Sequence, residues 1–418
     1  MTLNSKNHAF YIRKNASLSI FSFLILCLFF IGSYDVYSQE PFQLQQHKAI
    51  RDAVKLSANY LVRNTKDSGL FEYRLNMNPH VKVKKKYNLL RHAGAIYAMS
   101  MYYDMQPDDN VRMSMERAGR YLQQNAIEPL KGKDNISGVW SKPKVNGTLN
   151  PPQVKLGGVG LGLVALLSIE KFHPGFTPLS DLKALGQFIV FMQKEDGSFY
   201  SKYIPSLKGR QDKWQSLFYP GEAALGLLML YKKDPSEVWI KSAYRALEYL
   251  ANRRKNRSNI PADHWALLAT EQMLSLTNHK LPISRELLIN HAIQICETML
   301  RDQVNSPYRP KYDGGFVRDG RTTPTATRLE GLLAALSFLP SNHEIRKRIE
   351  SSVNRGLSFL LRSQVKEGPF AGAIPRAVGT RDGKSTQIKK FNRRVYEVRI
   401  DYVQHAMSAM IQYLHLMK

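Results

Sequence analysis

The 418-residue chain carries 60 Lys and Arg against 34 Asp and Glu, a formal net charge of +26, and 43% hydrophobic residues, enough for one large core or two ordinary ones. Its two cysteines are Cys27 and Cys296, and Cys27 falls in the leader described next, which excludes an intramolecular disulfide and leaves core burial to supply stability. So large a positive excess argues for a polyanionic partner: acidic polysaccharide, lipopolysaccharide, anionic membrane or nucleic acid.

At the N-terminus, Lys6, Arg13 and Lys14 precede an apolar run from Leu18 to Ile31, and Val36 and Ser38 fit the small-residue rule for cleavage before Gln39. The run is shorter than the ~20 residues of a membrane span. Residues 1–38 therefore read as a signal peptide, and residues 39–418 as a single exported domain, periplasmic or secreted. An uncleaved anchor is the alternative and would supply the chain's membrane contact. No small residue stands just before Cys27, which argues against a lipoprotein. The leader holds +2 of the charge (Lys6, Arg13 and Lys14 against Asp35), leaving +24 on the mature chain. Export argues against nucleic acid as the partner. Cys296, in "HAIQICETML", reads as a buried helix residue.

Beyond the leader, helical periodicity dominates. Amphipathic segments fall near 47–64, 111–125, 179–193, 237–252, 285–302 and 343–363. In 237–252 the stripe is Ile240, Ala243, Tyr244, Leu247 and Leu250, with charges opposite. Between these lie segments that are apolar nearly all round and rich in Gly and Ala: 91–103, 157–169, 219–231, 263–274, 325–338 and 401–414. A helix apolar on every side is surrounded by protein, and small residues let its neighbours approach. The two kinds alternate six times, with starts of the apolar kind roughly 45 to 75 residues apart. The expected fold is all-α: an (α/α)6 barrel of six inner and six outer helices.

A turn signature follows the outer segments: "DSGLF" (67–71), "ISGVW" (136–140), "DGSFY" (196–200), "DGGFV" (313–317) and "EGPFAG" (367–372). The glycine is expected to terminate the outer helix and the aromatic to pack the returning chain. Here the chain resembles the α/α-toroid superfamily. "QKEDGSF" (193–199) looks like the Gln…Asp-Gly-Ser-aromatic repeat of terpene cyclases and prenyltransferase subunits. The six-pair count is similar to that of six-hairpin glycosidases and toroidal polysaccharide lyases and epimerases. The Asp-x-Asp-Asp motif of squalene-type cyclases is absent from the sequence, which disfavours terpene cyclisation.

The resemblance implies a ligand cavity above the N-termini of the inner helices. The polar residues there are Arg91, His92, Tyr219, Glu222, Asp263, His264, Trp265, Arg328, Glu330, Asp401, Tyr402 and His405. Polar groups in otherwise apolar helices are costly unless paired or solvated by a cavity. Glu222, Asp263, Glu330 and Asp401 suit acid/base work on a sugar, as in a hydrolase. His264 and Tyr402 are alternative proton carriers for a lyase or C5-epimerase, with Arg91, His92, Tyr219, Trp265, Arg328 and His405 binding substrate. Each has a structural reading too: Asp263 as a helix N-cap, Glu222 as a first-turn carboxylate, Glu330 as the ion-pair partner of Arg91 or Arg328. No metal is assigned. The zinc alternative takes His92, His264 and His405 with Asp263 or Asp401.

The outer-to-inner loops are basic, including "KVKKK" (82–86), "LKGRQDK" (207–213) and the stretch 373–400 with Arg376, Arg394 and Arg399. Cations beside aromatics such as Trp140, Tyr203 and Trp214 suit sugar rings bearing carboxylates or sulfates. The sequence therefore predicts an exported enzyme acting on an acidic glycan by hydrolysis, β-elimination or C5-epimerisation. The alternatives are a non-catalytic toroid binding a surface polyanion or partner protein, and a zinc-dependent toroid modifying a peptide or lipid.

Overall fold

The computed structural model of the chain describes residues 44–84, 86–276 and 284–417. The segment read as a signal peptide lies outside them. The chain divides into two compact units, 1–51 and 52–418; of the first, the described residues 44–51 are helical.

The second unit alternates outer and inner helices. The outer set is α1 (52–63 of this unit), α3 (Asp109–Asn125), α5 (Leu179–Phe191), α7 (Glu237–Arg254), α9 (Arg285–Arg301) and α11 (Ile345–Ser363). The inner set is α2 (Leu89–Met105), α4 (Leu156–Glu170), α6 (Tyr219–Lys233), α8 (His264–Leu274), α10 (Thr322–Phe338) and α12 (Ile400–Leu416). Each inner helix packs on the next, and α12 returns to α2, which closes the ring. The expected (α/α)6 barrel is the observed fold.

Inner helices are surrounded because their sequences allow it. Every residue of α4 is buried, and a Cβ at Gly226 of α6 would lie 2.8 Å from the Gly160 carbonyl oxygen of α4. Outer helices bury one stripe: in α3 it is Val111, Met115, Ala118 and Leu122. Asp108 caps that helix, its side chain accepting from the amides of Asn110 and Val111.

The recurring turn does more than end a helix. Gln193 Nε2 donates to the Gly197 carbonyl and, at 2.9 Å, to the Ser242 carbonyl of the next outer helix. Gln303 does the same to Ser352, and Gln364 to Ala53. Gly197 adopts φ +88°, and a Cβ there would sit 2.4 Å from the Arg245 carbonyl oxygen of α7. Glycine is required twice over, for the left-handed backbone and for the close approach. Two of the expected turns differ. Residues 136–140 lie in a strand, and in 367–372 it is Gly372, not Gly368, that abuts the neighbouring helix, at Leu56.

Short strands, unanticipated in the sequence, organise the loop end. β2 (Ile127–Leu130), β3 (Lys133–Ser141), β4 (Gln153–Lys155), β5 (Lys202–Ile204) and β6 (Gly209–Gln211) form an antiparallel sheet in that order. β1 (Arg74–Asn76) pairs antiparallel with β7 (Glu397–Arg399), Leu75 opposite Val398. That pair ties the first outer-to-inner connection to the last and delivers Asp401 to the start of α12.

Candidate active site

A cavity of about 550 Å³ opens at the N-terminal ends of the inner helices. Arg91 reaches it from α2, Glu222 from α6, His264 and Trp265 from α8, Arg328 from α10, and His405 from α12. Its wall holds six arginines: Arg91, Arg321, Arg328, Arg376, Arg394 and Arg399.

Beneath the cavity, α8, α10 and α12 bring together His264, Glu330 and His405, of which the two histidines line it and Glu330 does not. His405 Nδ1 lies 2.7 Å from Glu330 Oε2, and His264 Nε2 lies 3.8 Å from the same oxygen. The histidine rings meet edge to face at 5.5 Å. Glu330 is 2% exposed, and burial raises its carboxyl above the usual range against the opposing pull of His405. His264 is also 2% exposed, and neither ring nitrogen has a hydrogen-bond partner among the described residues. Burial, assisted by His405 and Arg328, holds its pKa well below the ordinary histidine value, so the imidazole is neutral at pH 7. Phe218 and Trp265 pack its ring, with centroids at 5.3 and 4.9 Å.

Glu222 enters the cavity from the first turn of α6 with Oε2 buried and unpartnered among the described residues. Burial first, then the Asp263 charge, push its pKa up to about 8 against the pull of Arg91. It is therefore mostly protonated at pH 7, an acid rather than a base. The space it occupies exists because residue 157 is glycine: a Cβ there would fall 1.9 Å from Glu222 Oε2.

The remaining carboxylates have other duties. Asp263 is 0% exposed and does not line the cavity; Oδ1 caps α8 at the Ala266 amide (3.1 Å) and Oδ2 pairs with Arg254 at 2.7 Å. The N-cap reading of its sequence position is the one its contacts fit. Asp401 does line the cavity, but it accepts from Arg91 Nε at 3.0 Å and Arg399 Nη2 at 2.8 Å. Burial pushes its carboxyl up, and Arg91 and Arg399 more than offset that, leaving it below the usual range. It is a fixed counter-ion, not a proton carrier. Glu330 pairs with His405 rather than with Arg91 or Arg328.

Three further sequence candidates have structural partners. The Tyr402 hydroxyl donates to Glu397 Oε1 at 3.3 Å, and the Arg399 guanidinium lies 4.5 Å from its ring. His92 does not reach the cavity. Its Nδ1 lies 2.7 Å from the Tyr87 hydroxyl and its Nε2 2.9 Å from the Ala118 carbonyl oxygen, and burial brings its pKa down to about 4. The Ala118 carbonyl can only accept, so Nε2–H donates to it, and the neutral ring then accepts at Nδ1 from the Tyr87 hydroxyl, which itself accepts from the Phe71 amide. Tyr219 is half-buried against Trp214, with ring centroids at 5.7 Å, and is not among the lining residues.

The zinc set expected from the sequence is accordingly not assembled, since His92, Asp263 and Asp401 are engaged elsewhere. A different triad is: His264, Glu330 and His405 each offer a donor atom, all within 4.8 Å of one another.

Most arginines of the wall are neutralised locally. Arg394 pairs with Glu397 at 2.8 Å, Arg321 with Asp319 at 2.9 Å, and Arg328 with Asp302 at 3.0 Å. Arg376 has no carboxylate partner among the described residues; it stacks over Phe391 at 4.6 Å, and its Nη1 is buried without an acceptor. Arg328 Nε is likewise without an acceptor. Arg376, Arg394 and Arg399 belong to the basic stretch 373–400, so composition pointed to them. Arg321 carried no signal in the sequence, because its place depends on how the loop before α10 folds.

No protein-family model and no curated protein sequence matches the chain. Solved structures do. Cellobiose 2-epimerase from Bacillus thermoamylovorans B4167 matches over 88% of this chain and 99% of its own, with a TM-score of 0.66 and 12% identity. An unsaturated glucuronyl hydrolase specific for heparin matches over 89% of this chain and 97% of its own (TM-score 0.60, 11% identity). The α-1,6-mannanase of Salegentibacter sp. HEL1_6 matches over 89% and 100% (TM-score 0.57, 13% identity). The fold of this chain is the (α/α)6 toroid of these carbohydrate-active enzymes.

Proposed function

We propose that the protein is a carbohydrate-active enzyme that moves a proton at a sugar carbon adjacent to a carboxylate, by C5-epimerisation or β-elimination. The observation that carries this is the buried His264–Glu330–His405 cluster beneath a cavity walled by arginines. Neutral His264, with both nitrogens unengaged, accepts the proton from carbon. An arginine such as Arg376 neutralises the carboxylate, whose charge grows as the enolate forms. In an epimerisation His405, as an imidazolium paired with Glu330 through Nδ1, delivers a second proton from Nε2 to the opposite face and ends neutral, while His264 keeps the proton it took. In an elimination the electron pair instead expels the substituent at the neighbouring carbon, and protonated Glu222 supplies the proton that it leaves with. Hydrolysis by inversion needs two available carboxylates. Among the described residues Glu222 alone of the four candidates is unengaged, which weakens the hydrolase reading. With residues 1–38 read as a signal, the reaction belongs outside the cytoplasm, on an acidic glycan.

The test is incubation with uronate-containing oligosaccharides in D2O. Deuterium at C5 with a changed ring configuration supports epimerisation, and unsaturated-uronate absorbance supports elimination. New reducing ends without either would overturn the reading in favour of hydrolysis.

One observation favours a second reading: three donor atoms within 4.8 Å could hold a divalent cation, with the histidines as ligands instead of proton carriers. Stoichiometric zinc in protein purified without added metal, with turnover lost to a chelator, would establish that reading.

A further inference from the structure

Beside the reaction cavity lies a second one of about 680 Å³, and Arg321 lines both. The ion pair of Arg328 with Asp302 also bridges them, the arginine facing the first cavity and the aspartate the second. The second cavity is lined by Arg301, Arg318, Arg321 and Arg381. Both of its lining carboxylates are already taken, Asp302 by Arg328 and Asp319 by Arg321. Arg301, Arg318 and Arg381 are left without a carboxylate partner among the described residues. Arg301 makes a long hydrogen bond to the Thr298 hydroxyl, 3.4 Å, and Arg381 lies 5.6 Å from the Phe391 ring. Uncompensated guanidiniums facing one concavity make a strong attractor for carboxylate or sulfate. Volumes of this order are those of small-ligand sites, ~300–1,000 Å³. A single acidic sugar in the first cavity would leave the second without its counter-charge.

We infer that the second cavity is a subsite for another acidic unit of the same glycan chain, bound by Arg318 and Arg381, with the chain crossing at Arg321. The ligand class is an oligosaccharide carrying carboxylate or sulfate on units either side of the crossing, not a lone monosaccharide. This rests on the reading of the first cavity as the reaction site.

The experiment is titration calorimetry of the full protein with galacturonic acid, a galacturonate hexasaccharide, a heparin hexasaccharide and a neutral maltohexaose, at two salt concentrations. The galacturonate or the heparin hexasaccharide, depending on which anion the chain carries, should bind at least about tenfold more tightly than the monosaccharide. An Arg318→Ala/Arg381→Ala variant should lose that advantage and show a shallower salt dependence, since each charge-assisted contact is worth about tenfold in affinity. Both side chains are exposed, so the variant should fold, and an unchanged thermal melt will verify it. A hexasaccharide advantage that survives in the variant overturns the inference, as does equal affinity for maltohexaose. Absence of any acidic-hexasaccharide binding overturns it too. If the wild type keeps the advantage but neither incorporates deuterium nor forms an unsaturated uronate, the proton-transfer reading falls while the subsite stands.

Discussion

Glu330 Oε2 lies 2.7 Å from His405 Nδ1, and the two residues are 75 positions apart on neighbouring inner helices. The packing of each inner helix on the next brings them together, and both side chains are largely withdrawn from bulk water. A carboxylate at Nδ1 orients the ring and, in the proposed reaction, leaves Nε2 for the substrate.

Glu330→Gln keeps the shape and a hydrogen bond but removes the charge. Turnover is expected to fall about 10²-fold with KM little changed, and His405→Asn to fall further, towards the 10²–10⁴ range of general acid–base catalysis. The pH–rate profile should change in Glu330→Gln, since the buried carboxyl whose pKa is raised is gone. A rise in KM with kcat intact would instead make Glu330 a binding residue.

Glu222 gives a stability prediction with a definite sign. Its pKa is 4.5 in the unfolded reference and about 8 in the folded protein. Folding is unpenalised below pH 4.5, where both states are protonated. Between pH 4.5 and 8 the unfolded chain releases a proton that the folded one retains, so stability falls through that window. Glu222→Gln should therefore raise Tm at pH 8 while leaving it unchanged at pH 4, and flatten the stability–pH curve between. Thermal melts across the range will check this. Loss of elimination in the same variant, with deuterium uptake retained, would assign Glu222 to the leaving group.

The barrel was legible because its signal is periodic: the apolar-all-round segments 157–169 and 401–414 mark inner helices α4 and α12 to within a few residues. The ends of inner helices were legible as candidate positions, since Glu222, His264 and His405 are polar residues in apolar surroundings. What local sequence could not supply was their partnership. Asp263 and Asp401 looked equivalent to Glu222, and only the folded chain shows Arg254 beside one and Arg91 with Arg399 beside the other. The strands escaped notice because three-residue pieces such as β4 and β7 carry no measurable alternation.

The turn glycines yield a fold-level prediction. Gly372→Ala would place a Cβ 1.9 Å from the Leu56 carbonyl oxygen of α1, at φ +88°. The obstacle is backbone, so the turn after α11 and helix α1 must separate. A loss of several kcal/mol is unsurprising where strain and overpacking add, about 1–3 kcal/mol each. Gly368→Ala is the control, with positive φ but open space around it, and should cost only about 1 kcal/mol. Urea melts of the two will separate crowding from backbone strain.

Asp263 supplies the sharpest contrast between a catalytic and a structural carboxylate. Its Oδ2 meets Arg254 at 2.7 Å with both side chains buried, and Arg254 also contacts His291 at 3.3 Å. Burial and the Arg254 charge hold His291 down to about 3, so it stays neutral and cannot repel the arginine. Asp263→Asn keeps an oxygen for the Ala266 amide but leaves Arg254 buried without a counter-charge. Removing one partner of a buried pair costs about 3–5 kcal/mol, and denaturant titration should register a loss of that order. Because Asp263 does not line the cavity, kcat on the folded fraction should fall far less than the 10²-fold or more expected for a proton carrier, any change entering through Glu222, whose pKa the Asp263 charge helps to raise. Adding Arg254→Met to the Asp263→Asn variant should recover part of the stability, since it removes the orphaned charge. A turnover collapse in Asp263→Asn with stability intact would reverse the assignment and return Asp263 to the chemistry.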